Sequence, residues 1–150
     1  GEIKSVLSGR VIPIEEVDDN VFSQKIMGDG VAVEPEDTLV KAPADASVTV
    51  VMKESGHACG LTLANGLELL IHVGVDTVDM NGDGFRLFVE EGQKVRRGDP
   101  LIQFDPEKIK AAGHPLTTML IVTGEGGAKN VTMHSGMEAK AGETAVITYE

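Results

Sequence analysis

Hydrophobic and polar residues along this chain alternate in short runs and do not repeat every three or four positions. A period of two marks strands with one buried face, because successive side chains of a strand point to opposite sides. Eight runs stand out: Arg10–Ile14, Gly30–Val33, Val48–Met52, His57–Leu63, Leu67–Val73, Leu101–Phe104, Met119–Val122 and Ala145–Tyr149. Gly, Asp, Asn and Pro punctuate them at close spacing. That pattern predicts an all-β fold, an antiparallel β-sandwich or barrel-like domain. Asp18–Met27 and Pro106–Ala112 each predict a short helical turn, too little helix for an α/β alternation. No Gly/Ser-rich or Pro-rich linker divides the chain, so residues 1–150 read as one domain. A weak internal echo is also present. Glu91 to Ile102 and Ala139 to Ile147 each carry a turn ending in Gly and an acid, followed by an apolar strand.

Composition narrows the function classes. Thirteen Lys and Arg stand against 24 Asp and Glu, a formal charge of −11. An acidic balance excludes a nucleic-acid binder, which needs a basic face for phosphates, and suits a partner with a basic surface. Four Phe, one Tyr and no Trp supply few stacking platforms. The single cysteine, Cys59, forms no internal disulfide, which fits a reducing compartment. No stretch reaches the roughly 18–20 apolar residues of a membrane span, and no signal peptide is evident. The expected location is cytoplasmic, either free or tethered to a membrane as part of a larger permease.

The densest chemistry lies between Ser55 and Val78. Ala64-Asn65-Gly66 separates two apolar runs, and Asn-Gly is a strong hairpin signal because both residues tolerate positive φ. Taken as a two-residue loop, Asn65-Gly66 sets Cys59 opposite His72 and His57 opposite Gly74. That register puts His57, Cys59 and His72 on one face, with the two imidazoles diagonal neighbours; a slip of one residue would separate them. On the second strand Leu67, Leu69, Ile71 and Val73 form the core face, and Glu68, Leu70, His72 and Gly74 the outer one. Two such histidines allow two chemistries. A neutral imidazole is a nucleophile that can carry a phosphoryl group on nitrogen while the other donates a hydrogen bond to it. Alternatively His57 and His72 bind Zn²⁺, with further ligands required.

A rival signal follows at once. Asp79, Asn81, Asp83, Gly84 and Glu90 match the spacing of an EF-hand calcium loop. An EF-hand needs amphipathic helices on both sides, and Ile71–Val78 is β-branched, Gly-containing and poor helix material. Calcium binding is therefore the alternative function. No Walker A loop, Gly-x-Ser-x-Gly elbow or His-Glu-x-x-His motif occurs.

The string Gly66-Leu67-Glu68-Leu69-Leu70-Ile71-His72-Val73-Gly74-Val75-Asp76-Thr77-Val78 resembles the active-site segment of the enzyme IIA domains of the glucose/glucoside class. These belong to the bacterial phosphoenolpyruvate-dependent sugar phosphotransferase system. Leu7-Ser8-Gly9, Met27-Gly28-Asp29-Gly30, Ala42-Pro43, Gly84-Phe85, Gly98-Asp99 and Phe104-Asp105 extend the resemblance over nearly the whole chain. The resemblance implies a β-sandwich phosphotransferase. His72 would take a phosphoryl group from the carrier HPr and pass it to a cysteine of a IIB domain, for sugar uptake and phosphorylation. His57 would support the phosphoryl group, and Ser55 would orient His57. Phe22, Ile26, Met27, Leu70 and Val78 would form an apolar docking rim, and Asp19 and Asp76 would meet a basic HPr surface. Transfer would require no organic cofactor and no metal, with zinc at the two histidines an option. The same face would serve as a regulatory module for other protein targets. Lys53 and Cys59 depart from the family pattern, standing where some relatives carry phenylalanine.

Overall fold

The computed structural model describes residues 1–150. In the first half the strands are β1 (Glu2–Lys4), β2 (Gly9–Pro13), β3 (Asp29–Pro35), β4 (Leu39–Lys41), β5 (Ala46–Val51), β6 (Ala58–Thr62) and β7 (Glu68–Val73). In the second they are β8 (Phe85–Leu87), β9 (Lys94–Val95), β10 (Pro100–Phe104), β11 (Thr118–Gly124), β12 (Thr132–Met133), β13 (Glu138–Ala139) and β14 (Ala145–Thr148). Helix is confined to α1 (Asn20–Ser23), α2 (Pro106–Ala111) and 3-10 turns at Ile14–Glu16 and Thr77–Met80. All eight expected runs are strands, with ends within two residues of those expected, and both expected helical turns are present. The six strands not anticipated, β1, β4, β8, β9, β12 and β13, have two or three residues each, too few to display a period.

Every pairing is antiparallel. The main sheet runs β13-β2-β3-β11-β7-β6-β5-β9, and two three-stranded sheets, β1-β14-β12 and β4-β10-β8, accompany it. The sheets end at open edges, so the fold is a sandwich and not a closed barrel. A core of 29 buried residues joins the three sheets, from Ile3 and Ile147 through Ile71 and Leu120 to Leu101 and Phe104.

The order of the main sheet is a palindrome: β13-β2-β3-β11 is matched outward-in by β9-β5-β6-β7. The echo seen in the sequence is the visible end of this repeat. Gly98 N donates to Ala42 O and Ala42 N to Asp99 O; in the other half Gly142 N donates to Ser5 O and Ser5 N to Thr144 O, all at 2.8 Å. Arg97 N is held by Asp45 Oδ1 (2.9 Å) and Ala141 N by Ser8 Oγ (3.0 Å). Val11 pairs with Val33 and Val33 with Thr118; Val48 pairs with Leu61 and Leu61 with Leu69. In this correspondence the pair Gly30–Ile121 of one half answers to Ala58–His72 of the other.

The hairpin register differs from the expected one by a single residue. Leu63 N donates to Leu67 O, and Gly66 N to Leu63 O, which closes a three-residue loop with Gly66 at φ +87°. Asn65 Oδ1 accepts from Leu67 N (3.0 Å) and holds the loop closed. His72 therefore pairs with Ala58, and Cys59 with Ile71. Cys59 is fully buried in the main core and does not stand on the histidine face. An extra loop residue in the left-handed region, a bulge of the kind Gly permits, moves the register by one.

Candidate active site

That slip ought to have put the two histidines on opposite faces, yet their rings meet. The strand ends at Ala58, and Gly56 at φ +65° turns the chain so that His57 leaves the pleat. A Cβ on Gly56 would come within 2.9 Å of Phe85 Cβ, so glycine is needed there. His57 still accepts at its carbonyl from Val73 N (2.8 Å). Its ring lies edge-on to that of His72, with centroids 4.6 Å apart and planes at 85°. Phe85 flanks His57 at 6.4 Å and Phe22 flanks His72 at 4.9 Å.

Each imidazole is tied at Nδ1. His72 Nδ1 lies 2.9 Å from Gly74 O, and a carbonyl only accepts, so Nδ1 carries the proton and Nε2 keeps a free lone pair. His57 Nδ1 lies 2.7 Å from Ser55 Oγ, a hydroxyl able to donate or accept. Ser55 is buried behind His57, and His57 itself is buried. Burial pushes the His72 pKa down to about 4, and neighbouring His57 pushes it the same way; Gly74 O and the Asp19 carboxylate oppose the shift. Burial also lowers His57. Both rings are neutral near pH 7, the form in which an imidazole is nucleophilic.

The histidines sit in a concavity of about 390 Å³ whose wall is mostly apolar. Phe22, Met27, Leu70, Val78, Asp19 and Asp76 all line it, as the resemblance implies. Asp19 also caps α1, accepting from Val21 N (2.9 Å). Ile26 is 68% exposed on the same segment but does not form part of the wall. Val21, Val50 and Met52 were not anticipated as wall residues. All three are exposed apolar side chains, Val50 and Met52 at 47% and 44%. Val50 breaks the alternation of β5 because a register shift between Val48 and Val50 turns it outward. That irregularity hid it from a period-two reading.

Two rival readings can be judged on geometry. The Asp79–Glu90 segment begins inside the 3-10 turn Thr77–Met80 and itself contains strand β8, so it is not a loop between two EF-hand helices. Its Asp83 carboxylate is paired with Lys108 Nζ at 2.7 Å. For zinc, the two imidazoles supply half of a tetrahedral shell, and no group of three His, Cys, Asp or Glu converges on one point. Cys59 pairs with Ile71, is fully buried in the core and does not join the two histidines in such a group.

The fold and site define an antiparallel β-sandwich domain that presents two neutral, oriented imidazoles in an apolar concavity. Residues 1–127 match the family described as phosphoenolpyruvate-dependent sugar phosphotransferase system, EIIA 1. The chain is 50% identical over 122 residues to the PTS system glucose-specific EIIBCA component of Corynebacterium glutamicum, covering 81% of this chain and 18% of that protein. The fold superposes on glucose permease IIA from Mycoplasma capricolum with a TM-score of 0.91 at 31% identity, over 98% of this chain and 94% of that one. The chain belongs to the EIIA family of the sugar phosphotransferase system and is a phosphotransferase component. It spans under a fifth of the length of its fused Corynebacterium relative. No helix is long and apolar enough to cross a membrane.

Proposed function

We propose that residues 1–150 act as one phosphocarrier unit in which His72 takes a phosphoryl group from phospho-HPr and gives it to a IIB cysteine. The carrying observation is the His72 ring: Nδ1 is bound to Gly74 O, and the ring faces an apolar concavity beside a second imidazole. His72 Nε2 attacks the phosphorus of the donor phosphohistidine. The new N–P bond forms as the donor's N–P bond breaks, and the donor imidazole leaves with the electron pair. The His72 ring gains positive charge, which the Gly74 carbonyl stabilises through the Nδ1 proton. A IIB thiolate then attacks phosphorus, the N–P bond breaks, and neutral His72 returns.

His57 serves this cycle as a donor at Nε2, stabilising charge on the phosphoryl oxygens. That role requires its Nδ1 to accept, so Ser55 Oγ donates to it. The apolar wall excludes water that would hydrolyse the N–P bond. Asp19 and Asp76 draw a basic carrier to the mouth. Neither an organic cofactor nor a metal has a part in the transfer. A doubly charged group on this face also changes which partners it accepts, the basis for a regulatory role. The fused EIIBCA make-up of the Corynebacterium relative supports tethering of this unit to a larger permease.

The test is incubation with phosphoenolpyruvate, enzyme I and HPr, followed by mapping of the acid-labile phosphate. Label is expected on His72 and absent from His72→Ala. A His72→Ala chain that labels normally overturns the assignment.

A further inference from the structure

We propose that Thr77 is a positioning residue that fixes the His72 ring by holding the Val73–Gly74 peptide. The inference rests on the reading of His72 as phosphoryl acceptor. The tautomer of His72 depends on one carbonyl, that of Gly74. Gly74 lies at φ +74°, where glycine has most freedom, so its neighbours must set the direction of that carbonyl. On the far side the restraint is weak, because Val75 N reaches Pro115 O at 3.4 Å. On the near side it is strong, because the buried Thr77 hydroxyl donates to Val73 O.

The Thr77 methyl adds a second restraint. A Cβ at Gly74 would lie 2.4 Å from Thr77 Cγ2 and 3.0 Å from Pro115 O. Thr77 thus occupies the space beside Gly74 and ties down the peptide that enters it. Its hydroxyl bonds Val73 O and not His72, and Thr77 itself does not line the concavity, so its effect on transfer is expected to run through the Gly74 carbonyl.

Thr77→Val exchanges the hydroxyl for a methyl at constant volume, and Thr77→Ser keeps the hydroxyl. Two readouts are needed: the His72 tautomer by ¹⁵N–¹H correlation spectroscopy, without any donor, and saturable labelling by phospho-HPr. Wild type and T77S should show one tautomer, protonated at Nδ1. T77V should show mixed tautomers and about tenfold slower maximal labelling, with the half-saturating HPr concentration unchanged. A T77V chain with one tautomer and wild-type rate overturns the proposal, as does a T77S chain as slow as T77V. If T77V does not fold, Thr77→Ala replaces it, and a single Nδ1-protonated tautomer there also overturns the proposal. Failure of wild type to label at all would instead sink the proposed function, since the tautomer is read independently.

Discussion

The two halves of the main sheet share a strand order and a set of turn hydrogen bonds, but their outer faces have different fates. In one half, residues 14–28 join β2 to β3; in the other, residues 52–57 join β5 to β6. The longer connection folds back over its own half. Phe22, Ile14 and Val17 bury Ala32, Met119 and Ile121 in a second cluster of seven residues. The shorter connection sets only His57 against the His72 ring and leaves the rest of that face open. Ile121 is therefore fully buried, whereas His72, its counterpart, stays open to partners. Connection length, more than strand composition, decides which half carries chemistry. Phe22 belongs to both, roofing the closed half and walling His72 at 4.9 Å.

The sharpest way to break the comparison is to disable the open half alone. His57→Gln should slow transfer from phospho-His72 to a IIB domain by about a hundredfold, as loss of a preorganised donor does. Its urea midpoint should stay near that of wild type; onward transfer at the wild-type rate would remove His57 from the mechanism. Phe22→Ala attacks the shared wall. It should cost about 3 kcal/mol in urea unfolding, in the range for buried Phe, and should also raise the HPr concentration needed for labelling. A loss of stability with no change in labelling would confine Phe22 to the closed half.

The pH dependence separates the halves further. His72 is held near 4 in the folded chain against 6.5 ordinarily. As pH falls from about 6.5 to about 4, the unfolded chain binds a proton that the folded chain refuses, so stability declines through that window. Above it the group contributes nothing, and below it the loss levels off. The wild-type minus His72→Gln difference in urea midpoint should follow this course, while labelling stays flat down to about pH 5. The smallest effect is expected at the outer rim. Met52→Gln should raise the half-saturating HPr concentration about threefold and leave the maximal rate unchanged.

Much of this was legible in the chain. The long strands announced themselves because one face of each is buried, as with Leu67, Leu69, Ile71 and Val73. The site residues came from the His72 string and the family it resembles. The hairpin register was not legible, because Ala64-Asn65-Gly66 is compatible with a two- or a three-residue loop, and only the backbone separates them: Gly66 alone is at positive φ, Asn65 is not, and Leu63 pairs with Leu67. Two departures compensated: the slip turned Cys59 inward, and Gly56 swung His57 back beside His72. Val50 was not legible because an outward apolar residue on a strand resembles its core until a bulge is seen, and Met52 because it lies just past the end of β5.

The one-residue shift in the hairpin has a consequence for relay fidelity. The proposed final acceptor is a thiolate, and this chain carries a thiol of its own two residues from His57. In the two-residue register that sulfur would have shared a face with the phosphorylated ring, an internal competitor for the group in transit. In the three-residue register it lies against Ile71 in the core, protonated and shut away from the reaction. A single extra residue in a turn thus insulates the carrier against short-circuiting itself.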